Sequence, residues 1–362
     1  MSAYNMPYGV SPNSQDIYNL HMTVFIVCCV IALIVFSLIA YCLYKYRKSK
    51  GAVSENFNEH PVLELIWTAI PFLILIGLAI PATLILGKIH DTSESALTIK
   101  VTGYQWKWKY EYLDSNIKFF SFLSTTLDQI HGKEPKGEWF LLEVDNEVVV
   151  PVATKVKLLI TSDDVVHSWW VPELGVKQDA VPGFINENWF YAKEVGKYRG
   201  QCGELCGVNH GFMPIVVTVV SQEDYAQWVL QKTSEMAALM RKPPAAALTT
   251  AEIMVSGKKD YERNCAMCHQ VDGEGMSYSY PALKRSRVVT APVEETALYI
   301  MRGVPNAAMQ PFGEILDDET LAAIISYIRM SWGNEDIIKQ QNFALSVTPA
   351  EIQSMRVKFN LH

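Results

Sequence analysis

The sequence predicts a multidomain membrane protein in which a hairpin of two transmembrane helices precedes a β-sandwich and an all-α C-terminal domain. Two long segments near the N-terminus contain no charged residue, short β-type runs follow them, and a helical part begins after a proline-containing linker. The chain of 362 residues is long enough for several domains. Its modest net charge of -7 argues against a nucleic-acid partner.

The two charge-free segments run from Met22 to Tyr44 and from Leu65 to Gly87. Each exceeds the roughly 20 apolar residues that cross a bilayer. We therefore expect a two-pass membrane hairpin at 22–88, after an extracytoplasmic tail at 1–21. No basic segment precedes the first run and no small-residue cleavage site follows it, which argues against a cleavable signal peptide there.

Basic residues predict the orientation of the hairpin. Lys45, Arg47, Lys48 and Lys50 follow the first apolar run directly, whereas the N-terminal tail contains no lysine or arginine. Because cytoplasmic loops are enriched in these residues, we expect the loop in the cytoplasm and both termini outside. The chain would then lie in a bacterial inner membrane, with everything after about residue 88 in the periplasm or otherwise extracytoplasmic.

Between Leu97 and Val220, short runs of β-forming residues alternate with clusters of Gly, Pro, Asp and Asn, which is typical of a β-sandwich. The predicted strands are Leu97 to Thr102, Tyr104 to Tyr112, Trp139 to Val144, Val148 to Val152, Lys155 to Thr161 and Ile215 to Val220. A helix from about Gln222 to Met240 and a linker up to Leu248 follow. We place the sandwich domain at 89–221 and the helix and linker at 222–249.

Five residues of the sandwich domain form a candidate metal site. Cys202 and Cys206 are four residues apart, His210 and Met213 follow closely, and His167 lies upstream. Thiolate, imidazole and thioether ligands suit copper, and a mononuclear copper centre needs only one cysteine, so the second cysteine indicates a second metal ion. A structural Cys2His2 zinc site and a disulfide are the alternatives that the spacing leaves open.

The segment Cys265-Ala-Met-Cys268-His269 has the pattern of covalent c-type haem attachment. Both thiols would form thioether bonds to the haem, and His269 would bind its iron. A bare Cys-x-x-Cys also fits a redox dithiol or half of a zinc site. The adjacent histidine and the predicted export of this domain favour haem.

A methionine is the usual sixth iron ligand of cytochromes c. The domain offers Met276, Met301, Met309 and Met330. Met276 is close to the attachment motif, and Met330 lies in the apolar pattern of a helix from Asp317 to Trp332, so packing accounts for both. Met309 lies in a turn-rich loop from Gly303 to Phe312 that resembles the ligand loop of small class I cytochromes c. We predict Met309 as the ligand, with Met301 as the alternative.

The order of membrane helices, sandwich, copper motif, linker and haem motif resembles subunit II of a haem-copper cytochrome c oxidase with a fused cytochrome c domain. The resemblance covers roughly residues 15 to 333. The matching stretches are Glu64 to Pro71, Gly103 to Trp106, Gly175 to Gly183 and Gly200 to Cys206. It implies a cupredoxin-like sandwich and a class I cytochrome c domain at 250–334. The C-terminal tail at 335–362 is unlike that family and has no functional interpretation.

The resemblance also implies a binuclear copper centre of the CuA type. In that centre His167 and His210 are the terminal ligands, and Cys202 and Cys206 bridge the two ions. Met213 and the backbone carbonyl of Glu204 would complete the ligand set, and the Glu204 side chain would bind a magnesium ion shared with subunit I.

Two further residues match functional positions of the family. Trp106 matches the tryptophan through which electrons enter, although a core aromatic of the sandwich would look the same. Glu64, just before the second span, matches an acid at the mouth of a proton pathway, although a glutamate that merely ends a helix explains it as well.

By this resemblance the chain relays electrons in a respiratory, proton-translocating cytochrome c oxidase. Electrons would pass from a cytochrome c-type donor through haem c and CuA to the haem-copper oxygen-reduction centre of subunit I, with subunit III as a further partner. A quinol oxidase subunit would lack the copper ligands that are present here. A nitric oxide reductase subunit with CuA and haem c, and a membrane-anchored electron carrier without an oxidase partner, are the alternatives.

Overall fold

The computed structural model describes residues 5–53, 58–241, 249–277, 280–304 and 309–360. The helices in these ranges are α1 (Pro12–Lys45), α2 (Pro61–Ile89), α3 (Leu127–Ile130), α4 (Gln222–Arg241), α5 (Thr250–Asn264), α6 (Ala266–His269), α7 (Val293–Arg302), α8 (Asp318–Met330), α9 (Asn334–Gln340) and α10 (Pro349–Phe359). The strands are β1 (Leu97–Tyr104), β2 (Lys107–Tyr112), β3 (Ile117–Ser121), β4 (Val148–Pro151), β5 (Lys155–Ser162), β6 (His167–Val171), β7 (Val176–Ala180), β8 (Asn186–Tyr191), β9 (Gly196–Cys202) and β10 (Pro214–Val220). The chain divides into two compact units, one ending at Gln231 and the other beginning at Lys232.

Helices α1 and α2 confirm the predicted hairpin. Both are long and apolar enough to cross a membrane, and their apolar windows are not buried within the chain. Helix α1 begins at Pro12, well ahead of the charge-free run, because the Ser11 side chain caps it by accepting a hydrogen bond from the Ser14 N–H. The segment expected as an extracytoplasmic tail therefore includes the first turns of α1.

The hairpin is attached to the β-sandwich by hydrogen bonds from both of its helices. Ser11 Oγ donates to the Leu174 carbonyl at 2.6 Å, and Asn13 Nδ2 donates to the Trp189 carbonyl at 3.3 Å. Trp189 Nε1 in turn donates to the carbonyl of Lys88, at the end of α2, at 3.1 Å. Because Ser11 and Asn13 are buried in these contacts, the hairpin and the sandwich form one packed unit.

The sandwich consists of two five-stranded sheets, with strand orders β3-β2-β1-β5-β8 and β4-β10-β9-β6-β7. Strand β5 alternates between buried and partly buried positions along its length, as a strand with one face on the core does. The core between the sheets is formed by side chains of both, among them Val101, Leu158, Trp169 and Val217. This confirms the predicted β-sandwich.

Two predicted strands differ from the structure. The run from Tyr104 to Tyr112 is divided between β1 and β2, which pair as an antiparallel hairpin. The prediction of a strand from Trp139 to Val144 is wrong, because the chain turns there: Leu142 N donates to the Trp139 carbonyl at 2.8 Å, and Leu141 has a φ of 63°. The Arg199 guanidinium lies 4.0 Å from the centre of the Trp139 ring. This contact with β9 overrides the local β-propensity of the segment.

Helix α4 confirms the predicted helix from Gln222, whereas most of the predicted linker lies outside the described residues. In the second unit α5 packs against α8, which confirms the helix predicted from Asp317 to Trp332. Gly257 permits this packing, since a Cβ atom there would lie 2.4 Å from the Ala323 carbonyl oxygen and 2.7 Å from Tyr327 Cβ. The close approach of the two helices therefore requires a glycine on α5.

Residues between 334 and 360 contribute to the core of the second unit. Ile352 and Met355 of α10 are buried in one hydrophobic cluster with Met301 of α7 and Leu321 of α8. The buried Arg329 side chain donates to the Ala344 carbonyl at 2.7 Å and so holds the segment between α9 and α10. The sequence alone predicts a tail here, because the apolar positions of this segment acquire partners only in the folded domain.

Replacement of Ile352 by alanine is expected to lower the free energy of unfolding of the second unit by about 2–5 kcal/mol, because a fully buried aliphatic side chain is removed. The matched control is Val357→Ala on the same helix, where the side chain is 67% exposed and a change within about 0.5 kcal/mol is expected. Urea unfolding of the full-length protein, followed by haem absorbance, measures both. Equal effects of the two substitutions would contradict the placement of α10 in the core.

Candidate metal and haem sites

The candidate metal ligands meet at one end of the sandwich because β6 pairs with β9. His167 begins β6, Cys202 ends β9, and Trp169 lies opposite Cys202 in the register of the two strands. The loop after Cys202 returns to the same end, where Cys202 N donates to the Met213 carbonyl at 3.2 Å. The loop therefore places Cys206 and His210 beside the strand ends.

The side chains of all five predicted ligands are in contact. Cys202 Sγ lies 3.9 Å from His167 Nδ1 and 3.8 Å from Cys206 Sγ. Cys206 Sγ lies 3.5 Å from His210 Nδ1 and 3.5 Å from Met213 Sδ. Two ligand atoms of one tetrahedral ion, each bound at roughly 2.0–2.3 Å, are about 3.3–3.8 Å apart. The residues present thus have the spacing that a metal centre needs.

The two cysteines do not form the disulfide that the sequence left open. Both are free and buried, and a sulfur separation of 3.8 Å is far beyond the roughly 2.05 Å of a disulfide bond. The carbonyl oxygen of Glu204 also faces this pair, at 3.3 Å from Cys202 Sγ, whereas the Glu204 side chain is exposed. The backbone and the side chain of Glu204 therefore face different environments.

Asp164 orients the histidine ligand, and sequence analysis missed it. His167 Nε2 donates to Asp164 Oδ1 at 2.8 Å, which leaves Nδ1 facing Cys202 Sγ as an acceptor for a metal. The carboxylate is itself held by the backbone N–H groups of Gln105 at 2.7 Å and Val165 at 2.6 Å. An acidic residue three positions before a candidate histidine ligand was the available signal.

Trp106 lies directly against the metal loop. Its Nε1 donates to the Cys206 carbonyl at 3.2 Å, and Gln105 Nε2 donates to the same oxygen at 2.8 Å. The neighbouring Trp108 ring packs edge-on against the His167 ring, at 5.9 Å between centres, and its Nε1 donates to the Met213 carbonyl at 3.4 Å. Two indoles thus contact the ligand residues of this site.

The protonation of the ligands reflects their close packing. Burial lowers the pKa of His167, but its hydrogen bonds with Asp164 and Cys202 outweigh burial and leave the pKa raised. The contact with Cys206 lowers the pKa of the Cys202 thiol, and the same contact raises the pKa of Cys206, so the Cys206 thiol holds its proton more firmly. A metal ion that binds both sulfurs has to displace it.

The haem motif lies at the junction of α5 and α6. Cys265 and Cys268, both partly buried, are joined by a hydrogen bond from the Cys268 N–H to the Cys265 carbonyl at 3.1 Å. Side chains three residues apart in a helical turn share one face. The two thiols are therefore placed for two bonds to one haem.

The buried His269 side chain fits the role of an iron ligand. Burial lowers its pKa, so the imidazole is neutral near pH 7. Its Nδ1 hydrogen bonds to the Pro281 carbonyl at 2.8 Å and must donate, since a carbonyl only accepts. The proton therefore stays on Nδ1, and the lone pair of Nε2 is left for iron. Pro281 is a second residue that the sequence alone did not identify.

The structure distinguishes the two preferred methionine candidates by burial. Met301 is fully buried within the hydrophobic cluster of the second unit, whereas Met309 is partly buried and packs on its edge. The Met309 backbone is fixed by the Val304 N–H, which donates to its carbonyl at 2.8 Å. Gly303 has a φ of 65°, and a Cβ atom there would lie 2.5 Å from the Met309 carbonyl oxygen. This close approach explains the glycine in the loop.

Glu64 lies in the first turn of α2, where its Oε1 accepts a hydrogen bond from the His60 N–H at 3.1 Å. This contact caps the N-terminus of the helix. The sandwich contacts the opposite end of α2, at Lys88, about 36 Å along the helix axis from Glu64. Glu64 is therefore remote from the metal ligands.

Comparison with known proteins gives matches to three protein-family models. Residues 97–220 match the periplasmic domain of cytochrome c oxidase subunit II, and residues 1–85 match the transmembrane domain of that subunit. Residues 253–328 match subunit III of cbb3-type cytochrome c oxidase. The first two matches imply a copper-binding domain on a membrane anchor, and the third implies a haem c domain.

Individual relatives agree with these matches. Cytochrome c oxidase subunit 2 of Cyanidium caldarium is 41% identical over 225 residues, which cover 61% of this chain and 88% of that protein. The probable cytochrome c oxidase subunit 2 of Rickettsia prowazekii (strain Madrid E) is 42% identical over 223 residues, 61% of this chain and 70% of that protein. The crystal structure of the periplasmic domain of subunit II of cytochrome oxidase of Bradyrhizobium japonicum is 42% identical, covering 40% of this chain and 98% of that chain, with a TM-score of 0.35.

Replacement of Asp164 by asparagine is expected to lower the copper affinity of the sandwich about 10- to 100-fold, because the His167 imidazole loses the carboxylate that orients it. Asp163→Asn is the matched control, since the neighbouring Asp163 is exposed. Copper titration followed by the thiolate-to-copper absorption measures both variants. An unchanged affinity in Asp164→Asn would refute this role of the carboxylate.

The copper affinity is also expected to fall as the pH is lowered, by up to about tenfold per pH unit for each proton that the metal must displace. Because the pKa of His167 is raised, protons compete for this ligand at a higher pH than they would for an unperturbed histidine. The loss therefore begins near neutral pH and deepens towards acid. Copper titrations between about pH 5 and pH 8 test this, and an affinity that does not vary over that range would count against it.

Proposed function

This chain belongs to the family of cytochrome c oxidase subunit II, and we propose that it is the subunit through which electrons enter a respiratory oxidase. Electrons would pass from a cytochrome c-type donor to the haem-bearing domain, then to the copper-bearing sandwich, and finally to the haem-copper centre of subunit I, where oxygen is reduced. Subunit III would complete the complex. One observation carries the proposal: a single polypeptide contains both converging thiolate, imidazole and thioether ligands and a c-type haem motif.

We propose that the copper centre is binuclear, of the CuA type. Support comes from the ligand atoms of His167, Cys202 and Cys206, which lie within 4.8 Å of one another. Among the described residues, His210 does not belong to this set. One tetrahedral ion would draw four ligands together, whereas two ions need a histidine at each end. Cys202 and Cys206 would then bridge the ions, with His167 and His210 as terminal ligands.

Met213 and the Glu204 carbonyl would complete the copper ligands. The Met213 sulfur touches Cys206 Sγ and the Glu204 oxygen faces Cys202 Sγ, so each lies beside a different bridging sulfur. The exposed Glu204 side chain would then be available to a magnesium ion shared with subunit I.

The metal groups, when bound, would supply the one-electron chemistry that amino-acid side chains lack. The chain contributes orientation and the exclusion of water. Trp106 is proposed as the residue through which electrons reach the copper site, since its indole is hydrogen bonded to the Cys206 carbonyl. In the haem domain, Cys265 and Cys268 would hold the haem covalently, with His269 and Met309 as its axial ligands.

The membrane hairpin would anchor the subunit with both termini and both redox domains on the periplasmic side of a bacterial inner membrane. This orientation is supported by the lysines and arginine that follow α1. Helix α2 would then begin at the cytoplasmic face, where protons for a proton-translocating oxidase are taken up. Glu64 is proposed to lie at the mouth of that pathway, and its helix-capping contact with His60 fixes its position.

Purification of the complex from native membranes, followed by optical spectra and an oxygen-uptake assay, tests the function. We expect haem a bands and oxygen uptake that depends on a reduced cytochrome. In a Cys202→Ser variant the donor is expected to reduce haem c as before, while oxygen uptake falls to background, because electrons no longer pass through the copper site. Cys42→Ser in the exposed surface of α1 is the control and should retain both activities. Haem b bands with nitric oxide turnover, or full oxygen uptake in Cys202→Ser, would refute the relay.

A further inference from the structure

We propose that the C-terminal helix α10 clamps the haem's methionine ligand in place, with Arg356 as the positioning residue. The proposal concerns the Met309 segment, which we define as residues 309–316, and it rests on the proposed role of Met309 as an iron ligand. The matched cytochrome domain ends at residue 328, so α10 lies beyond the part of the chain that this match covers.

Arg356 binds the C-terminal side of the Met309 segment. Its guanidinium donates to the carbonyl of Gly313 and, at 2.6 Å, to the carbonyl of Leu316. Its Nε also donates to Asp318 Oδ1, at the start of α8, at 2.5 Å. The Arg356 side chain is only 17% exposed. These charge-assisted bonds are therefore largely shielded from water and hold two carbonyls of the segment, three residues apart, to one side chain.

Helix α10 also binds the chain on the N-terminal side of the Met309 segment. Arg302, the last residue of α7, donates from Nη2 to the Phe359 carbonyl at 3.0 Å. Lys358 forms an ion pair with Glu294 of α7 at 3.2 Å. Through the Val304 N–H, the end of α7 is in turn hydrogen bonded to the Met309 carbonyl at 2.8 Å. One helix thus holds both α7 and the segment that follows it.

Apolar packing places α10 and the Met309 side chain at the same hydrophobic cluster. Ile352 and Met355 of α10 belong to the hydrophobic cluster against which Met309 packs. Gly313 lies close to α7, since a Cβ atom there would be 2.9 Å from the Met301 carbonyl oxygen. Displacement of α10 would therefore remove both its hydrogen bonds to the segment and part of the cluster against which Met309 packs.

The consequence for the haem follows from competition at the sixth coordination position. A ligand from solution binds iron only when Met309 has left it, so its apparent affinity scales with the fraction of molecules in which the segment is open. Contacts that hold the segment closed lower this fraction without touching the iron. Arg356 would act in this way, and the affinity of ferric haem c for added imidazole measures it directly.

The test uses the purified oxidase complex with an Arg356→Gln substitution and titration of its ferric haem c with imidazole. We expect imidazole to bind about tenfold more tightly than in the unsubstituted complex, which corresponds to about 1.4 kcal/mol. Arg356→Lys, which keeps the charge beside Asp318 but lacks the guanidinium fork, should give an intermediate affinity. Lys339→Gln, which removes an exposed ion pair with Glu335 on α9, is the control and should leave the affinity unchanged.

Unchanged imidazole affinity in Arg356→Gln would overturn the clamp, and so would an equal increase in Lys339→Gln. If Arg356→Gln fails to retain haem, Arg302→Gln removes the bond at the other end from an exposed side chain, and unchanged affinity in that variant would also overturn it. Met309→Ala separates the clamp from the ligand assignment. Retention of the methionine–iron absorption band in Met309→Ala would refute the assignment. Loss of that band, together with an unchanged imidazole affinity in Arg356→Gln, would refute the clamp alone.

Discussion

The antiparallel pairing of β6 with β9 brings a histidine and a cysteine from separate parts of the chain to 3.9 Å, and the rest of the metal site is built around this contact. Strand pairing fixes register, because a shift of one residue would turn His167 and Cys202 away from each other. Gly203 N extends the pairing by donating to the Ser168 carbonyl at 2.9 Å. The loop that carries the remaining ligands therefore leaves β9 at a defined point.

Around this contact, residues from other loops hold the ligands in one arrangement. Asp164 fixes the orientation of the His167 ring, and the backbone of Gln105 fixes the carboxylate. The side chains of Gln105 and Trp106 both donate to the Cys206 carbonyl, so the metal loop is tied to the opposite sheet through β1 and the turn that follows it. A site held in this way needs little rearrangement during electron transfer, which suits a relay.

In the second unit, the proposed haem ligands are held in place partly by helices that follow the haem attachment motif. The proposed iron ligand His269 is oriented by the Pro281 carbonyl, and its burial keeps the imidazole neutral. The Met309 segment is held by hydrogen bonds to Val304, just after α7, and to α10. Helix α10 thereby contributes to both the hydrophobic core and the support of the segment.

The sequence by itself determined the two apolar helices, the sandwich, the five candidate metal ligands and the haem motif, because each depends on composition, periodicity or spacing. The resemblance to the family, not the spacing, assigned those ligands to copper. Only the tertiary structure decided that Trp139 to Val144 turns, that α10 enters the core, and that Asp164 orients His167. Each of these depends on partners distant in the chain: Arg199 on β9 against Trp139, the α7 and α8 side chains around Ile352, and the fold of the loop that turns the Asp164 carboxylate towards the imidazole. Local pattern cannot encode such contacts, since the side chains meet only after the sheets and helices have packed.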